Sequence, residues 1–157
     1  RHVFLSRSYL SSIFKEETGD SLFAYINKVR ISKSKMLLLD SAERQDDCAR
    51  GRYTVRGDEW FLQGHFPGNP VVPGVILCEI LGQSACVLLS GEAEGITPFF
   101  TGLDKVRFKN PVHPGDVFET ECTLLKHKGP FYWAEGKGYV DGKLCVSAEF
   151  SFALIKE

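Results

Sequence analysis

Two side chains in this sequence, His65 and Glu79, are of the types that work together as a base and an acid. Histidine exchanges protons near neutral pH, so the neutral imidazole of His65 can accept one. Glu79 lies in the apolar run Val75–Leu89, where loss of hydration disfavours a charged carboxylate, so it can hold a proton to donate. The pair predicts proton-transfer catalysis. The remaining histidines are interpreted as solvated or structural: His2, His113 and His127.

The segment between them is built to hold His65 in place. Gly64–Gly74 contains three prolines and three glycines, and because proline fixes φ and removes a donor, we expect an ordered, turn-rich loop. A helix then runs from Pro73-Gly74 to about Leu89. The N–H groups of Gly74 and Val75 would lie free at its positive end, where they could stabilise a developing negative charge.

The rest of the chain must cover this helix, which is apolar almost all round. Arg50–Arg56 alternates as a half-buried strand does, and Asp46-Asp47 reads as a turn. Leu37–Asp40 either ends a preceding helix or begins a strand. Hairpin signals such as Asp141-Gly142 separate the later strands. The prediction is an α+β fold in which a curved antiparallel sheet wraps around a long central helix. The later strands are Phe99–Asn110, Val117–Lys126, Phe131–Val140 and Lys143–Ile155.

One segment carries a family resemblance. It reads Gly64-His65-Phe66-Pro67-Gly68-Asn69-Pro70-Val71-Val72-Pro73-Gly74-Val75-Ile76-Leu77-Cys78-Glu79-Ile80-Leu81-Gly82-Gln83. This segment closely resembles the signature of the 3-hydroxyacyl-[acyl-carrier-protein] dehydratases of bacterial fatty acid synthesis, the FabZ type. The likeness extends over roughly Leu37 to Ile155, including Gly102–Val112 and Pro114-Gly115-Asp116. It implies a hot-dog fold for residues 37–157.

The resemblance also implies an activity, the dehydration of 3-hydroxyacyl thioesters to trans-2-enoyl thioesters. That reaction needs a base for the α-proton, an acid for the departing hydroxyl and a donor for the enolate-like oxygen. The family's catalytic histidine and glutamate correspond to His65 and Glu79, its backbone donor to Gly74, and a positioning glutamine to Gln83. The two catalytic residues of one site come from two subunits in that family, which implies a homodimer or an assembly of dimers. The substrate is carried on the phosphopantetheine arm of an acyl carrier protein, and neither a metal nor a redox cofactor is indicated.

Other interpretations of these residues stay open. Glu79 could simply be paired or reach solvent, and Gln83 could be a satisfied polar group of the core. Lys105, Arg107 and Lys109 alternate, so in a regular strand they share one face. That face is either merely solvated or part of a basic patch that meets an acidic carrier protein or a phosphate.

The first residues have a different character. Residues 1–36 carry seven Lys/Arg and three Asp/Glu, a net +4, whereas the remainder carries 12 and 17, a net −5. His2 to about Asp40 resembles a fragment of an AraC-type transcriptional regulator, in Ser6–Gly19 and Tyr25–Ile31. The prediction is two domains, a helical segment 1–36 and a hot-dog domain 37–157, joined as a fusion or chimera. DNA binding is not expected, because the first helix of the helix-turn-helix is missing.

Composition narrows the remaining classes. Five cysteines, an odd number without a C-x-x-C pair, argue against a disulfide framework and a zinc site, and favour a reducing, cytoplasmic compartment. Glu79, Gly82 and Gln83 interrupt the longest apolar run, so no membrane span is expected. Two rivals remain: a hot-dog thioesterase, and a non-catalytic acyl-ligand sensor fused to a DNA-binding segment.

Overall fold

A computed structural model describes residues 38–89 and 96–156 of the 157-residue chain. The helices expected within residues 1–36 lie outside this part. In the two described ranges, no helix has the length and apolarity needed to cross a bilayer. The elements in chain order are β1 (Ser41–Gln45), β2 (Cys48–Thr54), a 3-10 turn (Trp60–Leu62), α1 (Gly74–Cys86), a second 3-10 turn (Val87–Leu89), β3 (Ile96–Phe108), β4 (Val117–Lys128), β5 (Phe131–Val140) and β6 (Lys143–Lys156).

The six strands form one antiparallel sheet in the order β1-β2-β4-β5-β6-β3. The turn between β5 and β6 has positive φ at both Asp141 and Gly142, as the Asp-Gly pair predicts for a tight hairpin. β3 lies at one edge, and Pro98 is tolerated there because an edge strand can spare a donor. The α+β prediction is confirmed.

The helix α1 packs against one face of this sheet. Ile80 and Leu81 are completely buried, together with Phe118 and Phe150 from the strands. Gly136 allows the close approach, because a Cβ there would lie 3.3 Å from the Cβ of Leu81. The core therefore lies between the helix and the concave face of the sheet.

Several boundaries differ from those expected. The α-helical part of α1 ends at Cys86, and a tighter 3-10 turn continues to Leu89. β3 begins at Ile96, before Pro98. The short strand β1 was not predicted, since its polar sequence shows no alternation. Asp40 precedes it in a bend, so the described residues 38–40 do not themselves begin the strand.

A carboxylate ties the loop after β2 to the sheet. Glu59 accepts hydrogen bonds from the hydroxyl of Tyr53 at 2.7 Å and from the backbone N–H groups of Arg56 and Gly57 at 2.6 and 2.7 Å. Burial alone would raise the pKa of Glu59, but the hydrogen bonds from Tyr53 and the backbone outweigh it and hold the pKa below its ordinary value. The ionised form is therefore the one that the folded state favours.

We expect Glu59→Gln to lower the free energy of unfolding at pH 7 by about 1–2 kcal/mol, because charge-assisted hydrogen bonds are lost at a partly exposed site. A lowered folded-state pKa stabilises the fold above the unfolded value, and that stability is lost as pH falls through the folded pKa. The difference in free energy of unfolding between the variant and the parent chain should thus be smaller at pH 3 than at pH 7. Urea unfolding at both pH values measures this difference. Asp58→Asn, at an exposed neighbour, is the control, and an equal loss there would contradict the prediction.

Candidate active site

His65 lies in a strongly shaped loop. Its backbone N–H donates to the carbonyl of Leu62 at 3.2 Å, which anchors it to the first 3-10 turn. The residues on either side, Gly64 and Phe66, both adopt left-handed backbone, with φ of 78° and 56°. Left-handed backbone is strained for a residue with a Cβ, and such strain is found mostly where a site demands it. The surrounding contacts thus hold the loop around His65 in one conformation, as the prolines predict.

A hydrogen bond sets the protonation pattern of the imidazole. Nδ1 of His65 lies 2.9 Å from the carbonyl oxygen of Val71. Since a carbonyl only accepts, Nδ1 must carry a proton and donate it, which leaves the lone pair of the neutral ring on Nε2. The ring is also held by an edge contact with Phe66 at a centroid distance of 4.4 Å. The geometry suits a base that acts through Nε2.

His65 borders a cavity of about 350 Å³. Gly74 borders it too, and the N–H groups of Gly74 and Val75 have no acceptor among the described residues. Pro73, which precedes α1, provides no side-chain cap that could occupy them. Val75 is 69% exposed and does not line the cavity. The lining consists of His65, Val71, Val72, Gly74, Leu77, Phe108, Lys109, Asn110 and Pro111.

Phe108 forms the wall opposite the start of the helix. A Cβ at Gly74 would lie 2.6 Å from two carbons of the Phe108 ring, so only glycine lets the ring lie this close. Phe108 is nevertheless 57% exposed in the single chain. An aromatic ring that is half open to solvent beside a candidate donor is available for contact with a ligand or with another chain.

Glu79 lies elsewhere on α1. It is half-buried and accepts a hydrogen bond from Nε2 of Gln83 at 3.2 Å, and Oε1 of Gln83 accepts from the N–H of Leu38 at 2.9 Å. Glu79 is two positions after the cavity-lining Leu77, so the two side chains leave the helix about 160° apart. Glu79 is absent from the described lining of the cavity. Within one chain, Glu79 therefore does not line the cavity that His65 borders.

The three basic residues differ from one another. β3 has a bulge between Asp104 and Arg107, and Lys105 adopts left-handed backbone with φ of 50°. The regular alternation expected from Lys105 to Lys109 is therefore wrong, because the bulge interrupts it. Nζ of Lys105 is paired with Glu149 at 2.7 Å. Lys109 lines the His65 cavity, whereas Arg107 is exposed beyond it.

Sequence reasoning missed three contributors: the carbonyl of Val71, the ring of Phe108 and the N–H of Leu38. Two of them are backbone groups, which any residue type supplies, so no pattern could have identified them. Phe108 lies in the stretch of β3 that resembles the family, but phenylalanine is a residue type more often found in a core than at a site. The signal available in the sequence was its position directly before Lys109, one of the candidate contact residues.

Comparison with known proteins identifies relatives of this chain. A family model described as a FabA-like domain matches residues 31–149. The FabZ 3-hydroxyacyl-[acyl-carrier-protein] dehydratase of Clostridium beijerinckii is 41% identical over 135 residues, which cover 82% of this chain and 95% of that protein. That of Oleidesulfovibrio alaskensis is 42% identical over 113 residues, 69% of this chain and 73% of the relative.

Solved structures support the fold. The dehydratase heterocomplex ApeI:P from Xenorhabdus doucetiae superposes with a TM-score of 0.65 at 20% identity, covering 76% of this chain and 84% of that one. The fluoroacetyl-CoA-specific thioesterase FlK gives 0.62 at 11% identity, covering 74% and 90%. These confirm the hot-dog fold and, at such identities, the fold alone. The family match and the relatives at about 40% identity establish more: the chain belongs to the FabA-like family and, within it, to the FabZ-type 3-hydroxyacyl-[acyl-carrier-protein] dehydratases.

Proposed function

We propose that this chain dehydrates 3-hydroxyacyl thioesters carried on acyl carrier protein, giving trans-2-enoyl thioesters for fatty acid biosynthesis. The observation that carries the proposal is the imidazole of His65, held through Nδ1 by Val71 at the border of a cavity that also contains the free N–H of Gly74. A fixed base next to a fixed oxyanion donor is the arrangement that α-proton removal requires.

The reaction follows from these groups. Nε2 of His65 takes the proton from C2, and the N–H of Gly74 stabilises charge that develops on the thioester oxygen. The C–H electron pair becomes the C2=C3 double bond as the C3–O bond breaks. Glu79 gives its proton to the departing hydroxyl, which leaves as water. Imidazolium and carboxylate remain, and transfer of one proton between them through solvent restores both groups.

In this proposal the acid comes from a second copy of the chain, since Glu79 is absent from the described lining of the cavity that His65 of the same chain borders. Within the described part of the protein, β3 pairs with β6 alone, so its outer edge is free to meet another β3. Two exposed apolar side chains, Leu103 and Phe108, lie on β3 itself, and Phe66 and Val75, next in sequence to the cavity-lining His65 and Gly74, are exposed as well. Exposed apolar side chains on and near a free edge support a homodimer.

Lys109 is our candidate for the phosphate of the phosphopantetheine arm or for an acidic carrier protein, because it lies at the cavity and Arg107 adds charge nearby. Lys105 contributes less, because Glu149 already pairs with it. The compartment that we propose is the cytoplasm, which agrees with five unpaired cysteines.

Hydration of a crotonyl thioester tests the activity. The proposal predicts loss of the absorbance of the conjugated enoyl thioester without release of thiol. Release of free thiol would identify a thioesterase, and absence of turnover with retained acyl binding would identify a sensor. Either result contradicts the proposed reaction.

Gly74→Ala should lower kcat/KM about tenfold, because the added methyl displaces the Phe108 ring and disturbs the donor. The exposed ring can move, so the melting temperature should change by only a few degrees. Steady-state kinetics of Gly74→Ala and of the double variant Gly74→Ala/Phe108→Leu check this. We expect the smaller side chain to restore part of the activity. Full activity of Gly74→Ala would contradict the prediction.

A further inference from the structure

Two hydrogen bonds in series connect the backbone that precedes β1 to Glu79. The N–H of Leu38 donates to Oε1 of Gln83 at 2.9 Å, and Nε2 of Gln83 donates to Oε1 of Glu79 at 3.2 Å. Both bonds are partly buried. Low solvent exposure strengthens each bond and makes an unmade one costly.

The first bond determines which way the amide of Gln83 faces. A backbone N–H can only donate, so the atom opposite it must be the amide oxygen. The amide nitrogen then faces Glu79, where it can only donate. If the amide were flipped, its NH2 group would face the N–H of Leu38 and its oxygen would face Oε1 of Glu79. Neither pair could form a hydrogen bond, so the pattern of donors and acceptors fixes the orientation of the amide.

The second bond distinguishes the two oxygens of the Glu79 carboxyl. Oε1 accepts a hydrogen bond from Gln83. In the protonated acid, the oxygen that accepts such a bond is the C=O oxygen rather than the O–H oxygen. The transferable proton then lies on Oε2. We infer that the backbone N–H of Leu38 is a positioning group for catalysis, acting through Gln83 to direct the acidic proton of Glu79 to Oε2. The inference rests on the proposed role of Glu79 as the general acid.

The consequence is that the point where the chain enters the domain belongs to the catalytic machinery. The domain was expected to begin at residue 37, and Leu38 follows directly. Because a backbone N–H supplies the bond, the site imposes no side-chain type at this position and only excludes proline, which has no N–H.

Kinetics of four variants of the full chain test the inference. Leu38→Pro removes the N–H and Leu38→Ala keeps it, so the two differ in the donor. Gln83→Leu removes the amide, and Gln83→Glu can still accept from Leu38 but as a carboxylate cannot donate to Glu79. We expect kcat of the proline variant to fall about tenfold below that of the alanine variant, with KM within about twofold. Both Gln83 variants should lose kcat to the same extent, and Leu38→Pro/Gln83→Leu should lose no more than either single change.

Amide hydrogen exchange keeps the inference testable if Leu38→Pro fails to fold. The Leu38 amide should lose protection in Gln83→Leu, whereas the Asp40 amide, bonded to the carbonyl of Arg52 at 2.8 Å, should keep it. Equal kcat in the proline and alanine variants, additive losses, or unchanged Leu38 protection would overturn the inference while the enzyme remained active. Absence of turnover in the unsubstituted chain would overturn the proposed function, and this role with it.

Discussion

Replacing His65 with alanine or Glu79 with glutamine should lower kcat/KM for crotonyl thioester hydration by about 10²–10⁴-fold, the range that general acid–base groups contribute. His65→Ala removes the lone pair at Nε2, and no other histidine and no carboxylate is among the described residues that line the cavity. Glu79→Gln keeps the shape and the contact with Gln83 but removes the transferable proton. The loss should lie mainly in kcat, because neither group is needed to hold the acyl chain.

Matched surface changes control this prediction. His127→Ala removes a histidine that stacks on Tyr132 at a centroid distance of 5.5 Å, and Glu119→Gln removes an exposed carboxylate of β4. Both should retain activity within about twofold, and all four variants should melt within a few degrees of the parent. Activity of His65→Ala or Glu79→Gln close to that of these controls would refute the assigned roles.

Gly138→Ala should destabilise the fold by about 3 kcal/mol. The ring of Phe118 occupies the position that the new Cβ would take, and Phe118 is completely buried in the core. Overpacking of a filled core typically costs about 1–3 kcal/mol, and the value should lie at the upper end because the ring has no open space to enter. For a domain of this size the melting temperature should fall by about 10 °C.

Gly102→Ala is the matched control. Gly102 is also a strand glycine without left-handed backbone, and its nearest contact to a new Cβ would be Oγ of Ser151 at 3.1 Å, at the end of a short side chain. Thermal unfolding of Gly102→Ala should show that the free energy of unfolding falls by no more than about 1 kcal/mol. Similar losses of stability in the two variants would mean that the Phe118 ring is not what excludes a larger side chain at position 138.

The sequence predicted the parts of the fold that local chemistry determines. Proline spacing predicted the ordered loop around His65, and the apolar run predicted α1. Asp141-Gly142 predicted the last hairpin because both residues readily adopt the positive φ that a tight turn needs. These features depend on residues within one turn or one hairpin, so a pattern in the chain is enough.

The parts that were missed depend on partners distant in sequence. β1 is polar and mostly exposed, and it becomes a strand only because β2 offers a free edge. The bulge at Lys105 breaks an alternation that looked regular, since left-handed backbone at a lysine leaves no mark in the sequence. Regular-strand rules fail wherever the register shifts.

The candidate site likewise has features that the sequence predicted and features that depend on partners distant in sequence. Its candidate residues, His65 and Glu79, could be predicted from the signature, but the spacing could not predict that the cavity beside His65 is lined without Glu79 of the same chain. Phe108 and Phe150 are both phenylalanines of the sheet, yet the first is 57% exposed and the second is 1% exposed. An apolar residue at an interface and one in a core look alike in a sequence, because both lie in apolar surroundings once the assembly has formed.

The most direct test mixes the two inactive variants, His65→Ala and Glu79→Gln, after unfolding and refolding them together. If each site takes His65 from one chain and Glu79 from its partner, half of the dimers are mixed and each contains one intact site, so activity should recover to about a quarter of the parent level. Recovery of that size would support the shared site. If the mixture stays as inactive as its components while mixed dimers demonstrably form, the two residues do not act together and the account is contradicted.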